Sequence, residues 1–361
     1  MASVCVEGRS LNPFMLYGEV TIARRRRRDL VKAKMSRDSR VVENIGQAAK
    51  RDLSKRAENI GINRKMDLKC DEVVTGRVDS NVAEVDPTMS TDPRVIENLI
   101  QLESATIPRM DYFKAFQSDI KPFMRRFVAI WMLELCDEQH VEEQVFPLAI
   151  NFLDRFLCEC DISRQQLQLL GATCLLMASK IRQCIALSVE LLCAYTDFTV
   201  TPEQIRSWEL LVLATLQWNI SAITGFDYID HILQRVSWGS ENPHIRTHAH
   251  TLVSVCLTEL VFMRTPPSVL AAACICAATR GINSPSARLA LGDIVRLIRV
   301  DPVEVELAVR HIEAIVATQA AAMQKQQQQI AIKSQYAGLP AKCASEVYHE
   351  SGSDFQGVGF Y

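Results

Sequence analysis

The residues that decide the fold lie in the first half of the chain and read Met124-Arg125-Arg126-Phe127-Val128-Ala129-Ile130-Trp131-Met132-Leu133-Glu134. In this stretch Met124, Phe127, Val128 and Trp131 recur at the three- and four-residue spacing of one helical face. Other apolar residues of the stretch, such as Ile130, fall on the remaining sides. The pattern predicts a helix over residues 121–136 that is apolar on most sides and lies centrally in its domain.

Helical patterns continue on both sides of this stretch, and strand signals are weak throughout. Most of the predicted helices begin at a proline or at a Ser, Thr or Asp residue that can cap a helix. They span residues 93–102, 121–136, 145–158, 163–183, 188–195, 201–216, 224–236, 243–262, 267–280, 286–298 and 301–323. We therefore predict an all-α fold of two tandem five-helix repeats, preceded by a short N-terminal helix.

Composition and charge divide the 361 residues into five regions. The net charge of -2 hides an asymmetry, because residues 1–65 hold 16 Lys and Arg against 7 Asp and Glu, a net of +9, which leaves -11 for the rest. The predicted regions are a basic disordered extension, a flexible acidic segment, the first repeat, the second repeat and a flexible tail. They cover residues 1–65, 66–92, 93–220, 221–323 and 324–361.

Motifs of the common enzyme classes are absent from the sequence. It has no Gly-rich phosphate loop, no His-Glu-x-x-His pair and no nucleophile elbow, and its seven histidines are dispersed. Its twelve cysteines follow no metal-binding spacing, which favours reduced, buried thiols in an intracellular protein. No apolar run approaches the length of a membrane span. We predict a non-catalytic protein without metal, cofactor or membrane contact.

The quoted stretch resembles the first helix of the cyclin box. Later stretches resemble its other helices, and Trp131-Met132-Leu133-Glu134 with Phe146-Pro147-Leu148-Ala149 is most similar to the D-type cyclins of the G1 and S phases. These stretches are Asn151-Phe152-Leu153-Asp154-Arg155-Phe156, Leu167-Gln168-Leu169-Leu170-Gly171-Ala172-Thr173, Ala178-Ser179-Lys180, Trp208-Glu209-Leu210 and Arg264-Thr265-Pro266-Pro267-Ser268. The tail lacks the Thr-Pro pair of vertebrate D-types, which favours an invertebrate-like member with an N-terminal extension.

The resemblance implies an activating, non-catalytic subunit of a cyclin-dependent Ser/Thr kinase of the four/six class. Such a complex promotes phosphorylation of retinoblastoma-family proteins and the transition from G1 to S phase, and it works in the nucleus and the cytoplasm. Kinase inhibitors are a further class of partner, whereas nucleic acid is not expected as a direct partner. The resemblance places kinase binding on Lys180 and Glu209, with apolar neighbours at Met177, Ile181, Leu213 and Trp218.

A second implied surface is a groove that docks substrates carrying an Arg-x-Leu peptide. The Leu would enter an apolar slot and the basic residue would lie near Glu134. The groove residues implied by the resemblance are Met124, Phe127, Val128, Trp131, Glu134, Arg164, Leu167 and Gln168. By pattern alone, an apolar stripe at helical spacing is equally consistent with a core face.

Two short motifs precede the repeats. Leu68, Cys70 and Glu72 fit Leu-x-Cys-x-Glu, the motif by which D-type cyclins hold retinoblastoma-family pocket proteins, and in an extended peptide these alternate residues point the same way. A basic run, which could act in nuclear import, consists of Arg24, Arg25, Arg26, Arg27 and Arg28. A chain beginning at Met66 would have the short acidic lead-in of D-type cyclins. Residues 1–65 are therefore interpreted either as an isoform-specific extension or as a segment that is not translated in all products.

One alternative comes from another functional class with the same fold, the general transcription factors of the IIB type. Such a protein would carry a Cys-x-x-Cys zinc ribbon before the repeats and a basic surface on them. This sequence contains no Cys-x-x-Cys, and the chain beyond residue 65 is net acidic. Both observations favour the cyclin interpretation.

Overall fold

The computed structural model describes residue 88 and residues 92–336, apart from the side chains of residues 323 and 326–336. Within these residues the chain forms twelve α-helices and two short 3₁₀ turns, and it forms no strand. The first seven helices are α1 (Pro93–Glu103), α2 (Tyr112–Ala115), α3 (Pro122–Gln139), α4 (Val145–Glu159), α5 (Leu167–Arg182), α6 (Val189–Tyr195) and α7 (Pro202–Thr215). The other five are α8 (Gly225–Leu233), α9 (Pro243–Thr258), α10 (Pro267–Gly281), α11 (Ala287–Ile298) and α12 (Pro302–Tyr336).

The predicted fold class is confirmed, because helices α3–α7 and α8–α12 form two five-helix repeats, each around its own hydrophobic core. In the first repeat the central helix is α5, in which every residue from 167 to 179 except Gln168 is buried. The prediction that α3 is central was wrong. Its outward face keeps Phe123 and Phe127 exposed to solvent, so its apolar residues do not all serve the core.

The second repeat is built in the same way around α10, in which every residue from 268 to 279 is buried. Small residues dominate this helix, so its neighbours can approach its backbone closely. Helix α1 packs against this second repeat and contributes Ile96 to its core. Glu103 at the end of α1 accepts hydrogen bonds from the Tyr228 hydroxyl at 2.9 Å and the Ser268 hydroxyl at 2.8 Å. The sequence boundaries had placed this helix with the first repeat.

Capping residues fix where several helices begin. The Asp92 carboxylate accepts the Arg94 backbone N–H at 2.9 Å at the start of α1. At the start of α7, Thr201 and Gln204 form a reciprocal capping box, with bonds of 2.9 and 3.3 Å. Together with the proline in the first turn of each helix, these caps explain why both starts were predicted to within one residue.

Several boundaries differ from the prediction. The one-turn helix α2 was missed because four residues are too few to show a helical period. The predicted helix over residues 163–183 begins as a 3₁₀ turn (Arg164–Gln166) before α5, and the one over residues 243–262 is interrupted at Glu259, whose backbone is extended. Helix α12 continues to Tyr336, so the tail does not begin at residue 324 as predicted. Residues 319–329 consist of Ala, Gln, Lys and one Met, which are all good helix formers, and this outweighs the polar composition.

Helix α9 of the second repeat packs against α3 and α4 of the first. Three polar contacts accompany this packing. Arg125 donates to the Leu257 carbonyl at 2.6 Å, Arg126 donates to Glu259 at 2.8 Å, and His250 Nδ1 lies 2.7 Å from Glu143 Oε2. The two repeats are therefore joined through specific polar bonds as well as apolar contact. None of the described helices combines the length and apolarity needed to cross a membrane.

Candidate functional site

Lys180 and Glu209, the predicted centre of the kinase-binding surface, lie side by side. Lys180 is the first exposed residue after the buried run of α5, and Glu209 lies on α7, which packs against α5. The Lys180 Nζ atom lies 2.5 Å from Glu209 Oε1, with side chains 48% and 19% exposed. The two opposite charges therefore already form an ion pair in the unbound chain.

The apolar neighbours predicted for this pair fall into two groups. Ile181 and Trp218 are 41% and 65% exposed, and Leu213 is half-buried, so all three can contact a partner. Met177 is buried at 3% exposure and belongs to the core. Its prediction as a surface neighbour was wrong because α5 is buried on all sides up to Ser179.

Two further exposed apolar residues near this pair, one on α7 and one just after α5, were not predicted from the sequence. Leu210, next to Glu209, is 63% exposed, and Ile185, which follows the end of α5, is 85% exposed. Leu210 and Leu211 are both exposed on a helix whose buried residues are Ile205 and Val212. An adjacent leucine pair away from the core stripe is a signal that could have revealed this surface. We call the residues Lys180, Ile181, Glu209, Leu210 and Trp218 the kinase-binding face, after the role that the sequence resemblance implies for Lys180 and Glu209.

The backbone holds Trp218 at the surface in a costly conformation. Gln217 and Trp218 have φ values of 52° and 58°, in the left-handed region that bulky residues rarely adopt. The Trp218 N–H bonds to the Leu213 carbonyl at 2.9 Å, which fixes this turn at the end of α7. Strain that leaves a large aromatic side chain in solvent points to a binding role for that side chain.

The predicted groove is present as a cleft of about 510 Å³ between α3 and the start of α5. Seven of the eight predicted residues line it, and Gln165 of the 3₁₀ turn is an additional lining residue. The seven are Met124, Phe127, Val128, Trp131, Arg164, Leu167 and Gln168. The predicted Glu134 does not line the cleft and lies one helical turn beyond Trp131 on α3.

Gly171 allows the two helices of the cleft to approach each other closely. A Cβ atom at this position would lie 2.9 Å from Val128 Cγ1, closer than such atoms normally pack, and 3.4 Å from Trp131 Cζ3. The absent side chain therefore sets the position of two residues that line the cleft. Phe127 is 67% exposed and meets Phe123 edge to face at 6.1 Å, which extends the apolar surface beyond the cleft.

The titratable side chains of the described residues are not clustered in a way that would bind a metal ion. No group of three or more His, Cys, Asp or Glu that could hold a metal ion occurs in this part of the chain. The nine cysteines of the described residues form no disulfide; Cys184 is exposed, Cys160 is partly buried and the other seven are buried. Burial raises the pKa of Cys276 to about 12, and it also raises the pKa of Cys136 and Cys174, which leaves these thiols protonated and unreactive.

Two predicted motifs lie outside the described residues. These are the pocket-protein motif (Leu68, Cys70 and Glu72) and the basic run from Arg24 to Arg28. The extension over residues 1–65 and nearly all of the acidic segment also lie outside them.

Comparison with known families assigns both repeats. Residues 94–221 match the model of the cyclin N-terminal domain, and residues 223–350 match that of the cyclin C-terminal domain. Among solved structures, a viral cyclin from Herpesvirus saimiri is 22% identical, with a TM-score of 0.56 over 63% of this chain and 98% of the viral chain. This similarity confirms the fold.

Curated relatives narrow the class. The G1/S-specific cyclin-D2 of Xenopus laevis is 44% identical over 60% of this chain and 74% of its own length. Human G1/S-specific cyclin-D3 is 43% identical over 61% of this chain and 75% of its own length. G1/S-specific cyclin-D1 of Pongo abelii is 41% identical over 69% of this chain and 85% of its own length. These relatives do not favour the alternative of a IIB-type transcription factor, and the chain belongs to the D-type cyclins of the cyclin family.

Proposed function

We propose that this chain is the activating subunit of a cyclin-dependent kinase of the four/six class and acts at the transition from G1 to S phase. Membership of the D-type cyclins supports this assignment. The observation that carries it is the kinase-binding face, where the Lys180–Glu209 pair lies beside exposed Ile181, Leu210 and Trp218. Exposed apolar side chains around a charged pair are typical of a protein interface with a desolvated centre and polar anchor points.

The geometry of this face suits the recognition of a partner's backbone. The Lys180 ammonium has three donors and the Glu209 carboxylate has several acceptor positions, so each keeps capacity for a partner while the pair stays together. In an apolar surrounding such charge-assisted bonds are stronger than in water and fix the register of the docked segment. We propose that a mobile kinase helix docks here and is pushed inward, which completes the Lys–Glu ion pair inside the kinase. The cyclin supplies no catalytic group to the reaction.

Two further sites would bring substrates to the kinase. The cleft between α3 and α5 would bind an Arg-x-Leu peptide, and inhibitors that carry the same peptide would compete there. The motif formed by Leu68, Cys70 and Glu72 would hold a retinoblastoma-family protein while the attached kinase phosphorylates it. Tethering raises the effective concentration of the substrate without new chemistry.

We also propose that the complex works in both nucleus and cytoplasm and that the run from Arg24 to Arg28 mediates import. Five consecutive arginines form a dense positive charge of the kind that import receptors recognise. Removal of residues 1–65 should shift the protein toward the cytoplasm in imaging of tagged cells. Kinase binding should persist in the same cells, because the kinase-binding face lies wholly on α5, α7 and the turn that follows.

Binding of a purified four- or six-class kinase tests the central proposal. Lys180→Glu should abolish co-precipitation of the kinase. The substitution removes the ammonium donor of Lys180 and places a second carboxylate beside Glu209, which the first one repels. A matched control is Lys325→Glu, which makes the same charge change at an exposed position of α12. Circular dichroism should show unchanged helicity in both variants. Full kinase binding by Lys180→Glu, or failure of the unmodified chain to bind the kinase at all, would contradict the proposal.

A further inference from the structure

The charges of helix α3 run opposite to the order that helix stability favours. Its first turn contains no acidic residue and its last turn contains no basic one. Lys121 and Arg126 lie at its start, whereas Glu134, Asp137 and Glu138 lie toward its end. The helix macrodipole favours acidic groups at the start and basic groups at the end. Because this order of charges destabilises the helix, we look for its role in binding rather than in helix stability.

The cleft lies along α3, and its ends carry the same charges as the ends of the helix, positive at the start of α3 and negative toward its end. Arg164 is 68% exposed and is the one charged side chain among the residues that line the cleft. Its backbone N–H donates to Asp119 Oδ2 at 2.9 Å, and Asp119 lies three residues before α3 begins. This bond places Arg164 at the start of α3, at the end of the cleft near Met124.

The guanidinium of Arg164 is only partly neutralised. Its Nε atom lies 3.9 Å from Asp119 Oδ2, a loose contact between side chains that are 68% and 42% exposed. Neither Nη atom of Arg164 makes a hydrogen bond with any residue that the structure describes. A carboxylate from a partner could therefore bond to this guanidinium in the two-pronged geometry that arginine favours.

The opposite end of the cleft is negative. Glu134 lies one helical turn beyond Trp131, and Asp137 follows on the next turn. Burial raises the pKa of Asp137, and the charge of Glu134 raises it further, which shows that the two carboxylates repel each other. A cation from a partner would relieve this repulsion.

The distance between the two ends defines a peptide length. Ten residues separate Met124 from Glu134, which corresponds to about 15 Å along the helix. An extended peptide advances about 3.3 Å per residue, so about five residues span this distance. The apolar floor of Phe127, Val128 and Trp131 lies between the ends, where an anchoring side chain would be buried.

We propose that the cleft binds peptides in which a basic residue precedes a leucine anchor and an acidic residue follows it. The acidic residue comes five positions after the basic one, as in Arg-x-Leu-x-x-Glu. The basic residue lies against Glu134 and the acidic residue against Arg164. This inference rests on the proposed docking function of the cleft and adds to it a second charge requirement. Arg164 is then the residue that determines specificity at the acidic position.

Fluorescence anisotropy with labelled peptides and the purified full chain tests this specificity. The peptide with Glu at its sixth position should bind about two- to fivefold more tightly than its Lys counterpart, the range for a solvent-exposed ion pair. Arg164→Glu should reverse this preference and Arg164→Gln should abolish it. Both variants should leave the preference for Arg at the first position unchanged. The preference should also weaken between about 50 mM and 500 mM salt, because exposed charges are screened.

Arg310→Glu is the matched control, since Arg310 is 72% exposed on α12 of the other repeat. Equal binding of the Glu and Lys peptides would overturn the inference while leaving the docking cleft intact. A preference for the Glu peptide that survives Arg164→Gln would likewise overturn the inference and leave the docking cleft intact. Absence of binding by every peptide would refute both the inference and the docking function of the cleft. Kinase co-precipitation would still test the activating role separately.

Discussion

Arg125 on α3 and Asp154 on α4 form a two-pronged ion pair that is buried where the first repeat meets the second. The Nε and Nη2 atoms of Arg125 lie 3.1 and 2.7 Å from the two carboxylate oxygens of Asp154. Tyr112 donates its hydroxyl to the same carboxylate at 2.8 Å, and Arg125 Nη1 donates to the Leu257 carbonyl of the second repeat. Burial by itself would lower the pKa of Arg125, but the attraction of Asp154 outweighs it, so the guanidinium stays charged.

Loss of one partner from this pair should be strongly destabilising. Arg125→Met leaves the Asp154 carboxylate buried without its cation, and we expect a loss of about 3–5 kcal/mol in the free energy of unfolding. Urea unfolding followed by circular dichroism measures the change. Arg206→Met is the control, because Arg206 is 56% exposed and pairs loosely with Glu190, so it should cost less than about 1 kcal/mol. Similar small losses in both variants would contradict the enclosed pair.

Gly171→Ala should destabilise the first repeat and weaken peptide docking together. The new Cβ would meet Val128 Cγ1 at 2.9 Å, and valine has little rotamer freedom on a helix. Overpacking costs about 1–3 kcal/mol, offset in part by about 1 kcal/mol from the better helix propensity of alanine. Thermal unfolding should show a lower midpoint. Gly292→Ala on α11, where nothing lies within 4 Å of the new Cβ, should instead raise stability by about 0.5–1 kcal/mol.

The contact between Glu143 and His250 should make the joint between the repeats sensitive to acid. A hydrogen bond from His250 lowers the pKa of Glu143, and the nearby positive charges of His250 and Arg246 lower it further, against the opposing effect of burial. An acid with a lowered pKa stabilises the fold above its unfolded pKa, about 4.3, and this contribution is lost as pH falls through the folded pKa.

Glu143→Gln should therefore be less stable than the unmodified chain at pH 7, by no more than about 1 kcal/mol since Glu143 is half-exposed. The difference should shrink below about pH 4.3. Urea unfolding from pH 7 to pH 3.5 measures it, with Glu304→Gln on the exposed start of α12 as the control. A difference that stays constant over this range would show that the carboxylate charge is not what matters.

Trp131→Ala should separate substrate docking from catalysis by the bound kinase. Trp131 lines the cleft and is not part of the kinase-binding face, so phosphorylation of docking-motif substrates should fall about tenfold through a higher KM. A short substrate without the motif should be phosphorylated at the normal rate. Equal loss on both substrates would indicate a folding defect, which thermal unfolding would reveal.

Removal of the pocket-protein motif should affect only the tether. The double change Cys70→Gly with Glu72→Lys should reduce capture of a purified retinoblastoma-family protein by at least about tenfold, because tethering through a second site raises apparent affinity by such factors. Kinase co-precipitation should be unchanged. The control is Lys69→Ala with Asp71→Ala, which alters the alternate residues that point away in an extended peptide. Unchanged capture after the first pair of changes would mean that the motif is not used.

The sequence predicted most of the fold and the cleft because their signals are local. Helix starts follow from prolines and caps, and Met124, Phe127, Val128 and Trp131 follow from a helical period along α3. The period cannot tell an exposed stripe from a core stripe, and only the resemblance separated these two interpretations. Met177 was misjudged because its burial depends on which neighbouring helices cover α5. Such long-range packing leaves no local pattern in the chain.

The enclosed Arg125 has a consequence for how the two repeats can be separated. Each repeat has its own hydrophobic core, as an independent module would have. The guanidinium of Arg125, however, bonds to both repeats, since the Leu257 carbonyl at 2.6 Å is the acceptor of its Nη1 atom among the described residues. In a fragment ending before α8 that donor would lose its acceptor, and the buried ion pair would lose the helix that covers it. The two repeats are therefore separate in their helices and cores but share the bond made by Arg125. A change that removes or moves one repeat also alters the stability of the other.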